Sequence, residues 1–150
     1  MNLTDLREHH GVREWGYRAP LAVRLLRKVA EDSGCWVWEG ATADGYGRIN
    51  VAGRLNLTHR VSYELFVGPV PAGLTLDHLC RRRDCLRTAH LEPVDSRTNT
   101  LRGGGVTAIN AAKAHCNRGH AFDADNTRIR GAHRYCLACI HMHNAARRSA

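Results

Sequence analysis

The apolar positions of residues 17–31 follow the period of a helix. Four of them fall on one face of that helix, and Pro20 suits a first helical turn, where no amide hydrogen is needed. The pattern therefore predicts a helix over residues 17–31 that packs on the rest of the chain. The four apolar positions are Leu21, Leu25, Leu26 and Val29.

From residue 33 the helical period gives way to alternation. Apolar and polar residues alternate in SGCWVWEG and again in DGYGRINVAGRLNL. The dipeptides Asp44-Gly45 and Ala52-Gly53 interrupt these runs at points that suit tight turns. This part of the chain is therefore predicted to form short antiparallel strands joined by hairpin turns.

Helical spacing returns in HRVSYELFVG. Thr58 precedes this segment and can cap the helix with its hydroxyl, while Gly68 followed by Pro69 is typical of a helix end. A helix that is capped by Thr58 and ends at Gly68 is therefore predicted.

Residues 69–105 predict a strand, a loop, a second strand and a helix. GPVPAGLTL leads into the first strand, His90 to Val94 form the second, and Asp95 or Ser96 caps the helix that follows. The segment between the strands, DHLCRRRDCLRTAH, has neither the helix nor the strand period. RGGGVT, residues 102–107, is predicted to be a flexible linker.

Together these elements predict an α+β chain of small antiparallel strands. The predicted organisation is an N-terminal helical segment over residues 1–33, a central unit over residues 34–105, and a C-terminal module with a basic tail over residues 106–150.

The composition adds a charge and a shortage of large apolar side chains. A net charge of +8 and a pI near 9.7 favour an acidic partner such as nucleic acid. The chain has only two Phe and two Met, so little large hydrophobic core is expected. The tryptophans are interpreted as core or metal-shielding residues rather than base-stacking platforms; they are Trp15, Trp36 and Trp38.

Two further features of the sequence indicate where in the cell the protein is expected. No run of about 18 apolar residues is present, so no membrane span is predicted. The stretch MNLTDLREHH is charged and lacks an apolar signal core, so we expect the protein in a reducing cytoplasm. Six cysteines in such a compartment favour metal binding over disulfides.

The first group of metal-ligand residues lies in the loop between the two strands. Cys80, Cys85 and His90 follow one another at five-residue intervals and are ligand types that zinc favours. A structural zinc site needs a fourth ligand, and the nearest unused cysteine is Cys35. The alternative for Cys35 is a small buried hydrophobic residue.

The second group lies in the C-terminal module. Cys116 and His120 are followed by the knuckle pair Cys136-x2-Cys139, which presents two sulfurs from one turn. His115 and His141 are close enough in sequence to replace His120. Two sites of three cysteines and one histidine would use every cysteine in the chain, so two structural zinc ions are predicted.

Three polar residues remain unexplained by this assignment. Asp77 and His78 end the first predicted strand, and Asn99 lies near the start of the helix that follows the second strand. A strand, a metal-bound loop, a returning strand and a helix form a ββα unit. Such a unit would place Asp77, His78 and Asn99 around one small cavity.

At this point the sequence resembles the HNH and His-Cys box nucleases of the ββα-metal superfamily. THRVSYELFVGPVPAGLTLDHLC and HLEPVDSRTNTLRG are similar to free-standing HNH proteins of phage type, and CNRGHAF with RYCLAC is similar to the zinc-binding tail often found on them. The resemblance covers roughly residues 34–140. The motif residues are Asp77, His78, Cys80, Cys85, His90 and Asn99, extended by Cys35.

The resemblance implies a role for each of these residues. His78 would be the general base that deprotonates the attacking water, and Asn99 with Asp77 would hold one Mg²⁺ or Mn²⁺ ion. Arg54 is the first choice for a cation near the phosphate, with Arg48 and Arg60 as alternatives. The arginines at 81–83 form a solvated loop that can also meet phosphate.

The function implied is a metal-dependent DNA endonuclease that leaves 5′-phosphate and 3′-hydroxyl ends. Its partner would be double-stranded DNA, with a homodimer left open, in a bacterial host cell and encoded by a phage or mobile element, as in homing endonucleases. The alternative is a non-catalytic, zinc-stabilised DNA-binding module. The sequence does not reveal the DNA sequence recognised, or whether one strand or both are cut.

Overall fold

The computed structural model describes residues 2–11 and 19–149 and confirms an α+β chain. Its strands are short, and those in the described residues pair in antiparallel fashion. The helices are α1 Leu3–His9, α2 Leu21–Leu26, α3 Thr58–Phe66, α4 Ser96–Arg102, α5 Val106–Ala112 and α6 Leu137–Arg148. The strands are β1 Val29–Asp32, β2 Cys35–Trp38, β3 Thr42–Ala43, β4 Tyr46–Val51, β5 Arg54–Leu57, β6 Thr75–His78, β7 Leu91–Val94, β8 Thr127–Arg130 and β9 His133–Cys136.

The chain divides into two compact units, residues 1–99 and residues 100–150, here called the N-terminal unit and the C-terminal unit. Within the described residues, none of the helices combines the length and the apolar character that a membrane span requires.

The helix predicted over residues 17–31 is shorter in the structure, and residues 17 and 18 lie outside the described part. Helix α2 ends at Leu26, and Val29 opens strand β1, which pairs with β2 across a tight turn. Ser33 and Gly34 form that turn with φ of 50° and 78°. The prediction of a longer helix was wrong. Val29 is buried on strand β1, and an apolar residue on the inner face of a helix would be buried as well, so its apolar character does not separate the two structures.

The predicted hairpins are confirmed. Strands β3, β4 and β5 form one sheet in that order, with turns at Asp44-Gly45 and Ala52-Gly53. All four turn residues have positive φ, between 49° and 83°. Such turns match the right-handed twist of the strands they join, which is why a local signal was sufficient to locate them.

The core of the N-terminal unit is larger than the composition suggested. Apolar side chains from α1, α2, β1, β2, β4 and α3 pack together, so the first two helices belong to the same core as the strands. Trp36 and Trp38 are buried in it, as expected, whereas Trp15 lies outside the described residues. The buried members are Leu3, Leu6, Leu25, Leu26, Val29, Trp36, Trp38, Ile49, Val61 and Leu86.

Helix α3 differs from its prediction at both ends. It includes Thr58 as its first residue, Leu57 is the N-cap, and the helix ends at Phe66 rather than Gly68. Thr58 does not cap the helix: its hydroxyl is fully buried and forms no hydrogen bond among the described residues. The side chain faces Gly47 of β4, where an added Cβ would collide with Thr58 Oγ1.

Strands β6 and β7 with helix α4 form the strand–strand–helix order predicted. In the antiparallel pair, Thr75 lies opposite Val94 and His78 lies opposite Leu91. Asp95 caps α4, because its Oδ1 accepts a hydrogen bond from the Thr98 amide at 2.8 Å. The predicted cap at Asp95 is therefore confirmed.

The C-terminal unit has helix α5, the hairpin β8–β9 and helix α6. Of the predicted linker, only residues 103–105 lie between helices, since Arg102 ends α4 and Val106 begins α5. Among its described residues, only Ala108 and Cys136 are buried. This unit therefore has almost no apolar core.

Candidate metal and catalytic centre

The first group of cysteines is assembled by strand β2 and the loop between β6 and β7. The amide of Trp38 donates to the carbonyl of Asp84 at 3.0 Å, and the amide of Leu86 donates to the carbonyl of Trp36 at 2.7 Å. These two bonds dock the loop on β2. They bring Cys35, at the start of β2, next to Cys85, although 50 residues separate the two in sequence.

The ligand atoms of this first cluster have the spacing of a metal tetrahedron. One ligand atom from each of Cys35, Cys80, Cys85 and His90 lies within 4.8 Å of the other three. His90 Nδ1 is 3.7 Å from Cys35 Sγ and 3.6 Å from Cys85 Sγ. Tetrahedral zinc would separate a sulfur from a nitrogen by about 3.6 Å. The four donors therefore fit a zinc ion.

Burial affects the pKa of two of these thiols. Burial raises the pKa of Cys35 above its ordinary value and raises the pKa of Cys85 to about 12. Buried thiolates with no positive charge beside them are costly, and a divalent ion supplies that charge. The same burial explains why Cys35 could be read from sequence as a small hydrophobic residue.

The second cluster is more regular. A turn in which the Gly119 amide donates to the Cys116 carbonyl at 2.9 Å carries Cys116 and His120. The N-terminal turn of α6 carries Cys139, and Cys136 caps that helix by accepting from the Cys139 amide. His120, rather than His115 or His141, lies with the three cysteines.

Distances in the second cluster also match a tetrahedron. Cys116 Sγ and Cys139 Sγ are 3.7 Å apart, close to the value of about 3.8 Å expected for two sulfurs on one zinc. His120 Nδ1 lies 3.3–3.6 Å from the three sulfurs. Desolvation acts to raise the pKa of Cys136, yet hydrogen bonds from the Cys139 amide and from Asn126 bring it down to about 6. A thiolate is therefore available there near neutral pH.

Asp77 and His78 end strand β6 and are both buried, at 2% and 7% exposure. Successive residues of a strand point to opposite faces, so the two side chains leave β6 in different directions. His78 Nε2 lies 3.2 Å from the carbonyl oxygen of Cys85. Burial lowers the pKa of His78 below its ordinary value, although this hydrogen bond and the Asp77 carboxylate oppose the shift.

Two further side chains surround His78 that the sequence did not single out. The His59 ring centroid is 4.7 Å from that of His78 in an edge-on arrangement, and the Tyr46 ring lies 5.9 Å away. Burial lowers the pKa of His59 to about 4, and electrostatic interactions with His78, Arg60 and Arg48 act in the same direction. His59 is therefore neutral at pH 7. Its Nδ1 is buried and forms no hydrogen bond to the described residues.

Gly47 permits this arrangement. It lies between helix α3 and Trp38, and a Cβ at this position would be 2.8 Å from Trp38 Cδ1 as well as colliding with Thr58. The close approach brings the neighbouring Tyr46 against His59. No local signal marks His59, and the sequence pattern places Tyr46 only in an alternating strand segment that follows the Asp44-Gly45 turn.

Asp77 and Asn99, the predicted ligands of the catalytic ion, lie on different elements, β6 and α4. Asp77 Oδ1 accepts a hydrogen bond from Arg81 Nη1 at 2.6 Å. Asn99 is half-buried in the first turn of α4, where its amide donates to the Asp95 carbonyl at 3.0 Å. The convergence of Asn99 with Asp77 and His78 on one ion stays a prediction.

The three candidate phosphate cations occupy different faces. Arg54 opens β5 opposite Val51, at the end of β4 that is farthest from Tyr46. Arg48 is two residues from Tyr46 on β4 and therefore lies on the same face of the strand. Arg60 is on α3, where its Nε is 2.9 Å from Glu64 Oε1.

Comparison with known proteins bears on the segment that contains Asp77, His78 and Asn99. Residues 56–101 match the model of the HNH endonuclease family. The resemblance to HNH endonucleases that the sequence indicated is therefore confirmed over this HNH segment. The match supports a nuclease function and, with it, a nucleic acid substrate. It spans less than a third of the chain and does not include the second cluster.

Similar proteins come from bacteriophages. Protein 7.7 of Escherichia phage T7 is 41% identical over 58 residues, which cover 38% of this chain and 45% of that protein. Protein 2.8 of the same phage is 31% identical over 91 residues, 56% of this chain and 62% of that protein. An uncharacterized gene 5.3 protein of Enterobacteria phage T3 is 29% identical over 88 residues, 53% of this chain and 87% of that protein.

The chain thus spans about half to two thirds of the two phage T7 proteins. No solved structure is significantly similar to it.

Proposed function

We propose that the chain is a metal-dependent DNA endonuclease that hydrolyses phosphodiester bonds with His78 as general base. The observation that carries the proposal is the setting of His78 within the HNH segment: a buried imidazole whose Nε2 is held by the Cys85 carbonyl at 3.2 Å. A buried and oriented imidazole suits proton transfer better than one free in solvent.

The hydrogen bond decides which nitrogen of His78 acts. A carbonyl oxygen only accepts, so Nε2 donates to Cys85 and Nδ1 keeps its lone pair. Burial lowers the pKa of His78, which keeps the ring neutral and able to accept a proton at pH 7. The edge of His59 and the ring of Tyr46 limit the rotation of the imidazole.

Asp77 and Asn99 would hold the catalytic Mg²⁺ or Mn²⁺. A carboxylate and a carboxamide are oxygen donors, which these hard cations prefer, and the Asp77 carboxylate adjoins His78 in sequence on β6. A bound ion would stabilise the negative charge that develops on the phosphate and on the departing 3′ oxygen. The expected products are 5′-phosphate and 3′-hydroxyl ends.

The two Cys/His clusters would each hold one structural Zn²⁺. In the first, Cys85 has two tasks: its sulfur belongs to the cluster and its carbonyl orients His78. A metal bound by this cluster would therefore fix the backbone that holds the general base. In the second, the ligands join the Cys116 turn to helix α6.

The partner is double-stranded DNA, and the phage origin of the similar proteins supports action in the cytoplasm of a bacterial host. The basic charge of +8 suits this substrate. A homodimer is one way in which both strands could be cut.

Nicking of supercoiled plasmid in Mg²⁺ tests the function. His78→Ala should reduce the nicking rate by about 10²–10⁴, the usual contribution of a general base. His78→Gln provides a second variant of similar size, and His143→Ala, an exposed histidine of α6, is the matched control. DNA ligase should seal the nicks if the ends are 5′-phosphate and 3′-hydroxyl.

Two outcomes would contradict the proposal. Equal nicking by the parent, His78→Ala and His78→Gln would remove His78 from the reaction. Absence of nicking by every protein, across several divalent ions and with DNA binding intact, would favour the non-catalytic zinc-stabilised DNA-binding module.

Elemental analysis tests the zinc assignment. The parent should contain close to two zinc ions per chain, and Cys80→Ser should contain one and nick far more slowly, because the Cys85 carbonyl would lose its fixed position. Cys80 is only half-buried, so this substitution spares the apolar core. An active Cys80→Ser protein with two zinc ions would contradict the assignment.

A further inference from the structure

The three consecutive arginines of the β6–β7 loop look equivalent in sequence, but the structure gives each a different environment. Arg81 Nη1 is 2.6 Å from Asp77 Oδ1. Arg82 bridges two carboxylates, with Nη1 2.5 Å from Asp32 Oδ2 and Nε 3.0 Å from Asp84 Oδ1. The charges of Arg81 and Arg82 are therefore balanced within the protein.

Arg83 is held without being neutralised. Its Nη1 donates to the Asp44 carbonyl at 3.1 Å, and its guanidinium carbon lies 5.4 Å from the centroid of the Tyr46 ring. The Asp44-Gly45 turn supports the side-chain stem, since a Cβ on Gly45 would be 3.4 Å from Arg83 Cδ. Within residues 2–11 and 19–149, Arg83 forms no ion pair. A carbonyl and a ring face fix a guanidinium while leaving its full charge available to an anion.

The charge of Arg83 lies near His78, the proposed general base. The Tyr46 ring contacts Arg83 and also lies 5.9 Å from the His78 ring, so one aromatic ring separates the exposed cation from the buried base. Arg54, by contrast, opens β5 about five residues along the sheet from Tyr46, which corresponds to roughly 17 Å. Arg48 lies on the same face of β4 as Tyr46.

The geometry points to Arg83 as the residue that binds a backbone phosphate of the nucleic acid beside the phosphodiester served by His78, with Tyr46 and the Asp44 carbonyl as its positioning groups. The inference rests on the proposed nuclease function. It assigns to Arg83 the phosphate contact that the family resemblance had suggested for Arg54.

The salt dependence of DNA binding separates a phosphate contact from a structural role. Binding of a 30-base-pair duplex is measured between about 50 and 300 mM salt without added Mg²⁺ and in the His78→Ala background, in which cleavage is expected to be slow. Arg83→Ala should lower the slope of log Kd against log salt by about one, because one fewer counterion is released. Arg82→Ala changes the net charge equally and should leave the slope unchanged, since Arg82 is already paired with Asp32 and Asp84.

Cleavage by proteins that retain His78 gives the second readout. Arg83→Ala should raise KM about tenfold or more, the loss expected for one charge-assisted hydrogen bond. Arg83→Lys should keep the salt slope and recover part of this loss, because lysine supplies the charge but not the planar stacking group. Arg83→Gln serves if the alanine variant fails to fold, with tryptophan fluorescence as the check of folding.

Equal salt slopes for Arg83→Ala and Arg82→Ala would overturn the inference, as would an Arg54→Ala variant that alone shows the loss. These results differ from failure of the proposed function. If the parent does not cleave but Arg83→Ala still changes the slope, the phosphate contact stands and the nuclease proposal falls. If the parent cleaves and the two slopes agree, only the Arg83 assignment falls.

Discussion

The two Cys/His clusters use the same donors, three cysteines and one histidine, in very different surroundings. The first is attached to a unit whose core cluster, among the described residues, contains ten buried apolar residues between Leu3 and Leu86. The second belongs to a unit in which only Ala108 and Cys136 are buried among the described residues. We therefore expect metal to order one loop in the N-terminal unit but to replace a core in the C-terminal unit.

Removing one ligand from the C-terminal cluster should give the largest effect on folding. Cys139→Ser is expected to unfold residues 100–150, because only Ala108 and Cys136 are buried among the described residues of this unit and a structural metal would supply most of its folding free energy. Amide hydrogen exchange should show β8 and β9 losing protection by about 10² or more. Strands β1 and β2 should be unaffected.

His141→Gln is the control, because His141 is an exposed residue of the same helix and lies outside the ligand set. Undiminished protection of β8 and β9 in Cys139→Ser would show that this unit is stable without its ligands and would break the comparison.

Truncation within the N-terminal core should have the next largest effect. Leu25→Ala is expected to reduce the free energy of unfolding by about 2–5 kcal/mol, because Leu25 is buried and its removal leaves a cavity. Urea unfolding followed by tryptophan fluorescence measures this, since every tryptophan lies in residues 1–99. Leu25→Met, which nearly conserves volume, should cost less than about 1.5 kcal/mol. A loss below that value for Leu25→Ala would mean that the core contributes less than its burial implies.

The buried His59 predicts a pH effect confined to the N-terminal unit. Its pKa of about 4 lies below the ordinary value of 6.5, so the unfolded chain binds the proton first as the pH falls. The stability from burying the neutral ring is complete above pH 6.5 and is lost progressively down to pH 4. Between pH 7 and pH 5 the loss should be about 2 kcal/mol.

His59→Gln isolates this contribution, because protonation of the cysteines and other groups affects both proteins alike. The free energy of unfolding should fall less steeply between pH 7 and pH 5 in His59→Gln than in the parent. Parallel pH profiles would show that His59 titrates normally in the folded protein.

The smallest effect is expected for an apolar side chain of the C-terminal unit. Ile129 on β8 is 64% exposed, so Ile129→Ala should change the opening free energy of the β8–β9 amides by less than about 0.5 kcal/mol. Hydrogen exchange gives this value directly. A loss comparable to that of Leu25→Ala would reveal a packed core in the C-terminal unit and remove the contrast.

Local signals in the sequence were sufficient for some features and not for others. The Asp44-Gly45 and Ala52-Gly53 turns were located because positive φ favours particular residues. The helical spacing of apolar residues extended the predicted helix to Val29, beyond its end at Leu26, because this spacing does not reveal the pairing of β1 with β2. The Thr58 cap was wrong because the hydroxyl packs against Gly47, a contact that no helix-capping pattern contains.

In the candidate site, too, some residues could be predicted from the sequence and others could not. Counting cysteines brought Cys35 into the first cluster, because six thiols and two histidines make two complete ligand sets. His59 was missed because its neighbours in sequence give it the appearance of an ordinary helix residue. Arg83 could not be distinguished from Arg81 and Arg82, since only the partners in the folded chain separate the three.

Arg81 has a consequence for how a cation would reach Asp77. It adopts a φ of 59°, a left-handed conformation that costs a residue with a Cβ about 1 kcal/mol or more. From that position its guanidinium engages the Asp77 carboxylate. A divalent ion arriving there would exchange with, or share, a built-in counterion, so the loop backbone that restrains Arg81 would help to set how much free ion is needed.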